Sequence, residues 1–327
     1  MSPNILSNPP EQSNYEKFQA KYKPLIEETL NKQIESYDNR DKILKALQGG
    51  KRLRAMLCFL AFKVSGGSDD TKGAKVAASA ELFQNVSLMK DDILDIDKVR
   101  RDNPASWVEH GPLETMRTAD SMIIAGLESI AEFGSNILKT LLGGWRGAWQ
   151  GEAQDYGFVK GLQNINGPMY EMYFKVIRRK TAVLFATSAK MGAQAAEAYP
   201  KLVDLLYQYG EDLGVAYQLA DDAVDLKKGK VELLPTLFVA QLDATIKEQF
   251  LGGLAQGRLS IGEALLGAGF NANNFLKTEL KNYLAKIKIE AGNSEIPNTE
   301  FKPILAEYPV MAVRAMLKEA HLEDFLQ

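Results

Sequence analysis

The chain has 327 residues, 46% of them hydrophobic and 25% charged, with a net charge of −3. This is enough apolar content for one large core, and the slight acidity excludes a general nucleic-acid binder, which needs excess Lys and Arg to neutralise phosphates. The single cysteine, Cys58, excludes an internal disulfide and a thiolate metal cluster, so a reducing, cytoplasmic setting is expected.

In chain order, residues 1–14 are rich in Pro, Asn and Ser and read as a flexible tail, without the basic-then-apolar pattern of a signal peptide. Residues 15–327 are expected to form one all-α domain, a bundle of about ten or more helices around a central cavity. From Tyr15 onward, Phe18, Tyr22, Ile26 and Leu30 recur at a spacing of four, the mark of a helix with one buried face. The same reasoning predicts helices near 39–48, 52–65, 71–97, 111–134, 136–156, 168–192, 198–227, 232–251, 259–269, 273–290 and 309–325. Gly66-Gly67, Gly143-Gly144, Gly167-Pro168 and Gly252-Gly253 supply breaks, and 292–308 reads as a surface excursion. No segment alternates like a strand, and no apolar run approaches the roughly 20 residues of a membrane span.

The chemistry lies in three stretches. Gly49-Gly50-Lys51-Arg52-Leu53-Arg54 sets three cations behind a glycine pair, the outline of a diphosphate cradle, although a solvated basic helix start fits equally well. Further on, ELFQNVSLMKDDILDIDKVRR (81–101) places Asp91, Asp92 and Asp95 within one helical turn, with Arg100 and Arg101 behind them. Carboxylates so crowded resist joint ionisation unless a cation sits among them, and oxygen donors suit hard Mg²⁺. The pattern returns at Asp221, Asp222 and Asp225. A lone DDxxD is more often a solvated face, but duplication behind apolar residues argues for two acidic sites facing one another inside a bundle. Metal-binding acids beside phosphate-binding cations suit a small molecule with a diphosphate head and an apolar tail. No GxxxxGK[ST] P-loop is present.

GGKRLR (49–54), ELFQNVSLMKDDILDIDKVRRDNP (81–104), GEAQDY (151–156), YFKVIRRKTAVLF (173–185) and YGEDLGVAYQLADDAVDL (209–226) together resemble the trans-isoprenyl diphosphate synthase family, which makes farnesyl, geranylgeranyl and longer polyprenyl diphosphates. The resemblance implies a prenyltransferase that condenses an allylic diphosphate with isopentenyl diphosphate, using about three Mg²⁺ ions per site. It implies that Asp91, Asp92, Asp95, Asp221 and Asp225 bind metal and that Arg100 contacts the allylic diphosphate. Lys51, Arg54, Gln84 and Arg101 would receive isopentenyl diphosphate, while Lys180, Thr181 and Gln218 line the allylic side. Asp91, Asp92, Asp95, Lys180 and Asp221 are then the catalytic set, and a homodimer is implied.

The chain departs from the family pattern in several places. Lys90 stands where a histidine is common, Asp102 replaces a glycine, and Thr118-Ala119-Asp120 replaces Ala-Gly-Asp. After the second motif, DLKKGKVELLPTLFV is shorter than usual, so Lys227, Lys228 and Lys230 either reach the site from a short loop or form a helix C-terminal charge cluster. Lys230 is taken as a diphosphate contact. Small Ser87 and Val86, just before the first motif, imply a product longer than farnesyl, about C20 or more, with Phe83 two turns back from Asp91 as the next floor. Trp107, Trp145 and Trp149 read as packing residues, although an aromatic in such a cavity can stabilise a carbocation. His110 and His321 read as surface residues. Competing readings are a terpene synthase without an isopentenyl site, prenyl transfer to another acceptor, and a regulatory subunit, which would be expected to lose its acids.

Overall fold

The computed structural model describes residues 12–230, 232–255 and 259–326. Among these, helices account for nearly all regular structure. The first, α1 (Asn14–Gln33), opens on a capping box in which the Ser13 hydroxyl accepts from Glu16 N (3.2 Å) and the Glu16 carboxylate accepts from Ser13 N (2.8 Å). It buries the predicted stripe of Tyr15, Phe18, Tyr22, Ile26 and Leu30. Most of the predicted tail lies outside the described residues; of its last members, Ser13 caps α1 and Asn14 donates to Glu307 (2.6 Å).

There follow α2 (Arg40–Leu47), α3 (Leu53–Val64), α4 (Asp70–Leu94), α5 (Ser106–His110), α6 (Pro112–Ala131), α7 (Ser135–Val159), α8 (Met169–Ile177), α9 (Val183–Ala195) and α10 (Pro200–Lys227). The chain closes with α11 (Leu233–Val239), α12 (Ala244–Ala255), α13 (Ile261–Gly267), α14 (Ala272–Ala291) and α15 (Lys302–Glu319). Most of α3, α4 and α9 is buried all round, which places these helices at the centre. Their close approach depends on small residues: a Cβ on Gly192 of α9 would sit 2.0 Å from the Cys58 carbonyl oxygen of α3.

Several expectations are corrected. The helix expected over 168–192 is interrupted by a π-helical turn, Arg178–Ala182. The one expected over 232–251 splits into α11 and α12, and the Asp243 carboxylate between them accepts from Ile246 N (2.9 Å). The final helix starts at Lys302, with Pro303 in its first turn and Pro309 tolerated inside; reading Pro309 as the start put part of α15 in the surface excursion. Val99–Arg100 and Asn103–Pro104 form an antiparallel ladder, turned by Arg101 (φ 54°) and Asp102 (φ 60°). Paired positive φ values make a primed hairpin turn, which requires no alternating pattern.

At the α10–α14 contact, Asp212 is buried, pairs with Lys286 (2.6 Å) and accepts from Gln208 Nε2 (3.2 Å). Among the described residues, Glu290 Oε2 is buried without a hydrogen-bond partner. Burial, then the neighbouring Asp212, pushes the Glu290 carboxyl up to about 8, with Lys286 opposing and Glu211 adding to the rise. Because this lies above the unfolded value of about 4.3, the stability it contributes is complete below that pH and is lost as pH rises through the folded value. Glu290→Gln should flatten that decline, so its advantage in urea midpoint over the parent grows between about pH 5 and pH 8. An advantage that stays constant across the range would refute the assignment.

Candidate active site

The segments that carry the family resemblance surround a cavity of about 630 Å³. One stripe of α4 supplies Gln84, Ser87, Leu88, Asp91 and Asp95, and one stripe of α7 supplies Trp145, Ala148, Trp149, Glu152 and Asp155. From α10 come Tyr217, Gln218, Asp221, Asp222 and Asp225. The three-and-four spacing that each helix repeats is what turns these side chains to a common side.

The acids crowd one another. Burial, then the charge of Glu152, pushes Asp91 up to about 8. Burial also raises Asp95, while burial and Asp225 push Asp221 up to about 6. Asp222 rises to about 7 through burial, although Tyr173 and Gln218 hydrogen-bond to it and partly oppose the rise. Asp92 is the exception among the predicted acids and does not line the cavity. One residue beyond Asp91, it turns roughly 100° around the helix, is 3% exposed, and accepts from Arg100 Nε (2.8 Å) and Nη2. Arg100 itself lines the cavity.

Lys180 and Thr181 enter the cavity from the π-helical turn, a distortion common at functional sites. Two glycines let neighbouring helices grip that turn. A Cβ on Gly151 would stand 2.2 Å from Lys180 N, and one on Gly214 would stand 2.4 Å from Ala182 Cα. Lys180 pairs with Asp155 and Glu152 (3.2 Å to the latter); burial opposes its charge, but these two acids carry it well above the ordinary lysine value. Thr181 Oγ1 donates to Gln218 Oε1 (2.5 Å), Gln218 Nε2 donates to Asp222 (2.8 Å), and Tyr173 OH donates to the other Asp222 oxygen. This chain holds Asp222 in place beside Asp221.

The cationic wall comes from the α2–α3 loop. Gly50 leaves room for guanidinium groups, since a Cβ there would lie 2.0 Å from Arg52 Nη1 and 3.0 Å from Arg101 Nη1. Arg52 is buried against Glu27 (2.8 Å) and Glu81 (3.3 Å) and serves as a structural ion pair. Lys51, Arg54, Gln84 and Arg101 all line the cavity. Arg101 also donates to the Gln48 carbonyl (3.1 Å) and Asn85 Oδ1 (3.2 Å). Arg54 is buried with its guanidinium 4.1 Å from the Phe185 ring centroid, and burial lowers its pKa. Among the described residues, its Nε has no hydrogen-bond partner, and neither has Gln84 Oε1. Buried polar atoms without partners are uncommon in native proteins, and a buried arginine without a carboxylate partner suits an anion.

The short loop after α10 turns tightly at Gly229 (φ 79°), and both Lys228 and Lys230 line the cavity, the latter 3.4 Å from Asp225. Lys227 instead donates to the His321 carbonyl (3.2 Å). Glu152, Asp155, Tyr173 and Tyr217 join the site without having been expected there; the i,i+3 acid pair in GEAQDY is the local signal for the first two. Trp145 and Trp149 line the cavity as well as packing.

Among the described residues, no three acidic, His or Cys groups form a ready-made metal cage. Mg²⁺ commonly takes only one or two carboxylates and completes its shell with water and substrate phosphates. Asp91, Asp95 and Asp221 are held above the usual carboxylate range first by desolvation and then by neighbouring acids, which a cation would relieve, and Asp225 adds a fourth carboxylate on the same cavity wall, so the four fit such an ion chemically.

The polyprenyl synthetase family model matches residues 39–233. The short chain isoprenyl diphosphate synthase of Methanothermobacter thermautotrophicus is 30% identical over 216 residues, covering 63% of this chain and 65% of that protein. Heptaprenyl diphosphate synthase component 2 of Geobacillus stearothermophilus is 30% identical over 250 residues, covering 74% and 75%. In fold, the chain matches the crystal structure of geranylgeranyl pyrophosphate synthetase from Pyrococcus horikoshii (TM-score 0.78, 23% identity, covering 92% and 99%). It also matches the polyprenyl synthase from Caulobacter crescentus complexed with calcium and isoprenyl diphosphate (TM-score 0.77, 23% identity, covering 93% and 99%). Since the family match spans more than half of the chain and takes in the whole of α4, α7 and α10, the chain belongs to the polyprenyl synthetase family.

Proposed function

We propose that this cavity condenses an allylic diphosphate with isopentenyl diphosphate to give a prenyl diphosphate of about C20 or longer, with Mg²⁺ as cofactor. The observation that carries the reading is the division of one cavity into two anion-binding regions. One is walled by the acids of α4 and α10, and the other by Arg54 and Gln84, each of which keeps a buried polar atom without a hydrogen-bond partner among the described residues. A terpene synthase needs only the first region, so retention of the second favours transfer. The Caulobacter crescentus structure, which contains calcium and isoprenyl diphosphate, supports divalent-metal use by analogy.

In this reading, Asp91, Asp95, Asp221 and Asp225 hold divalent cations, which would neutralise charge on the departing diphosphate. Asp92 orients Arg100 toward the allylic diphosphate. Lys180, steadied by Glu152 and Asp155, adds a cation beside it, with Lys230 reaching in from the short loop. Lys51, Arg54, Gln84 and Arg101 hold isopentenyl diphosphate with its double bond toward the allylic carbon. The allylic C–O bond breaks, the double bond supplies the electron pair of the new C–C bond, and the proton lost from the adduct passes to the released diphosphate.

Purified protein with Mg²⁺ and geranyl or farnesyl diphosphate, given labelled isopentenyl diphosphate, should form a longer labelled prenyl diphosphate. A hydrocarbon or alcohol formed without isopentenyl diphosphate would establish a terpene synthase instead. Ser87 lines the cavity, so Ser87→Phe should shorten the main product by at least one isoprene unit, as chromatographic sizing would show. An unchanged length would remove Ser87 from the tail's path.

We also propose a cytoplasmic homodimer. In its support, α6 exposes Leu113 (83%), Met116 (51%) and Ile124 (50%), and no helix among the described residues is long and apolar enough to cross a membrane. Mass measurement in solution tests this, and activity that appears only with a second protein would favour a hetero-oligomer.

A further inference from the structure

The cavity's far end is built from aromatic residues that the α4 positions alone do not reveal. Phe83 and Trp145 are in ring contact, Asp91 lies within the field of Glu152, and Asp95 within that of Asp155. These pairs advance together, so α4 and α7 run parallel along the cavity and Trp145 lies at the end away from the acids. The floor expected from sequence is placed differently: Val86 is fully buried outside the cavity wall, and Phe83 is 1% exposed behind Trp145. Trp145 itself faces the cavity.

Trp145 is also held in place. Phe83 meets it edge-on (centroids 5.2 Å apart, planes at 88°), and Phe83 is backed by Gly126 of α6, where a Cβ would stand 3.0 Å from the Phe83 ring. Trp149 meets Trp145 at 5.8 Å and 88°. The Lys90 ammonium lies 5.0 Å from the Trp149 ring centroid and 5.7 Å from that of Trp145, and it makes no ion pair among the described residues. An ammonium without a counter-ion, placed against two indoles, favours one arrangement of both rings.

Resting on the chain-elongation reading above, we propose that Trp145 is the stop that limits product length, with Phe83, Trp149 and Lys90 as the residues that hold it. A tail anchored at Asp91 and running down α4 meets this wall before it reaches the level of Phe83, which lies two helical turns, about 12 Å, from Asp91. Ser87, one turn below the acids, is too small to close the path. Because Trp145 is gripped from more than one side, it cannot swing aside as the tail advances, so the product length is narrow.

The test sizes the products of the full-length chain with farnesyl diphosphate, Mg²⁺ and labelled isopentenyl diphosphate. Trp145→Ala should lengthen the main product by one or more isoprene units. Trp145→Leu, which leaves a smaller cavity, guards against loss of folding and should give an intermediate shift. Lys90→Met, which keeps the stem but removes the charge, should broaden the distribution toward longer products. Active Trp145 variants with the parental length would overturn the stop, and an unchanged Lys90→Met distribution would overturn the role of Lys90. A parent protein that forms no longer prenyl diphosphate would instead overturn the elongation reading, which keeps the two failures distinct.

Discussion

Replacing Asp91 with Asn should lower kcat/KM for condensation by about 10³-fold or more, because a group that stabilises leaving-group charge commonly contributes 10²- to 10³-fold and metal binding depends on its neighbours as well. The same substitution should leave thermal stability equal or higher. In the folded protein burial penalises the Asp91 charge, and Glu152 and Asp95 add to that penalty against the opposing Lys180 and Arg100, so Asn removes a net cost that the unfolded chain does not bear. Loss of activity together with retained stability is the signature of a residue kept for function. A thermal shift separates the explanations further. Mg²⁺ with inorganic diphosphate should raise the melting temperature of the parent protein, because a ligand that binds only the native state stabilises it. The variant should show a much smaller rise. Activity within tenfold of the parent, or an equal thermal shift, would remove Asp91 from the metal site.

The acids were legible because their chemistry is written in local spacing: Asp91 with Asp95, and Asp221 with Asp225, share a helix face by periodicity alone. The limit of that reasoning is Asp92. The motif groups it with Asp91, but a rotation of one residue carries it to Arg100, and only the hairpin turned by Arg101 and Asp102 brings Arg100 there. Arg52 shows the same limit. It stands in the cationic run beside the cavity, but its partners Glu27 and Glu81 are distant in sequence. The π-helical turn has no local signal either, since Lys175 to Phe185 reads as ordinary helix. Trp145 was assigned to packing because sequence records which residues are apolar and not which of them face an opening. In each case the missing information is a long-range contact, which periodicity cannot encode.

The second large effect concerns such a contact. Gly151→Ala should destabilise the protein by about 1–3 kcal/mol, the usual cost of overpacking a tight interior, and should impair catalysis in the molecules that fold. The added Cβ would meet Lys180 N at 2.2 Å, Arg179 C at 2.5 Å and Lys180 Cα at 2.7 Å. All three are backbone atoms, so no side-chain rotation relieves the clash, and α7 must part from the turn that carries Lys180. The Lys180 ammonium would then separate from Glu152 and Asp155. Lys180→Met should reproduce the kinetic defect with a smaller loss of stability, because it removes the charge and leaves the turn in place. Gly143 provides a control on the same helix: a Cβ there meets nothing within 4 Å, and Gly143→Ala should be neutral or stabilising by up to about 1 kcal/mol through helix propensity. Urea unfolding and steady-state kinetics on the three variants measure both effects. If Gly151→Ala matched Gly143→Ala in stability, the grip of α7 on the turn would not be what positions Lys180.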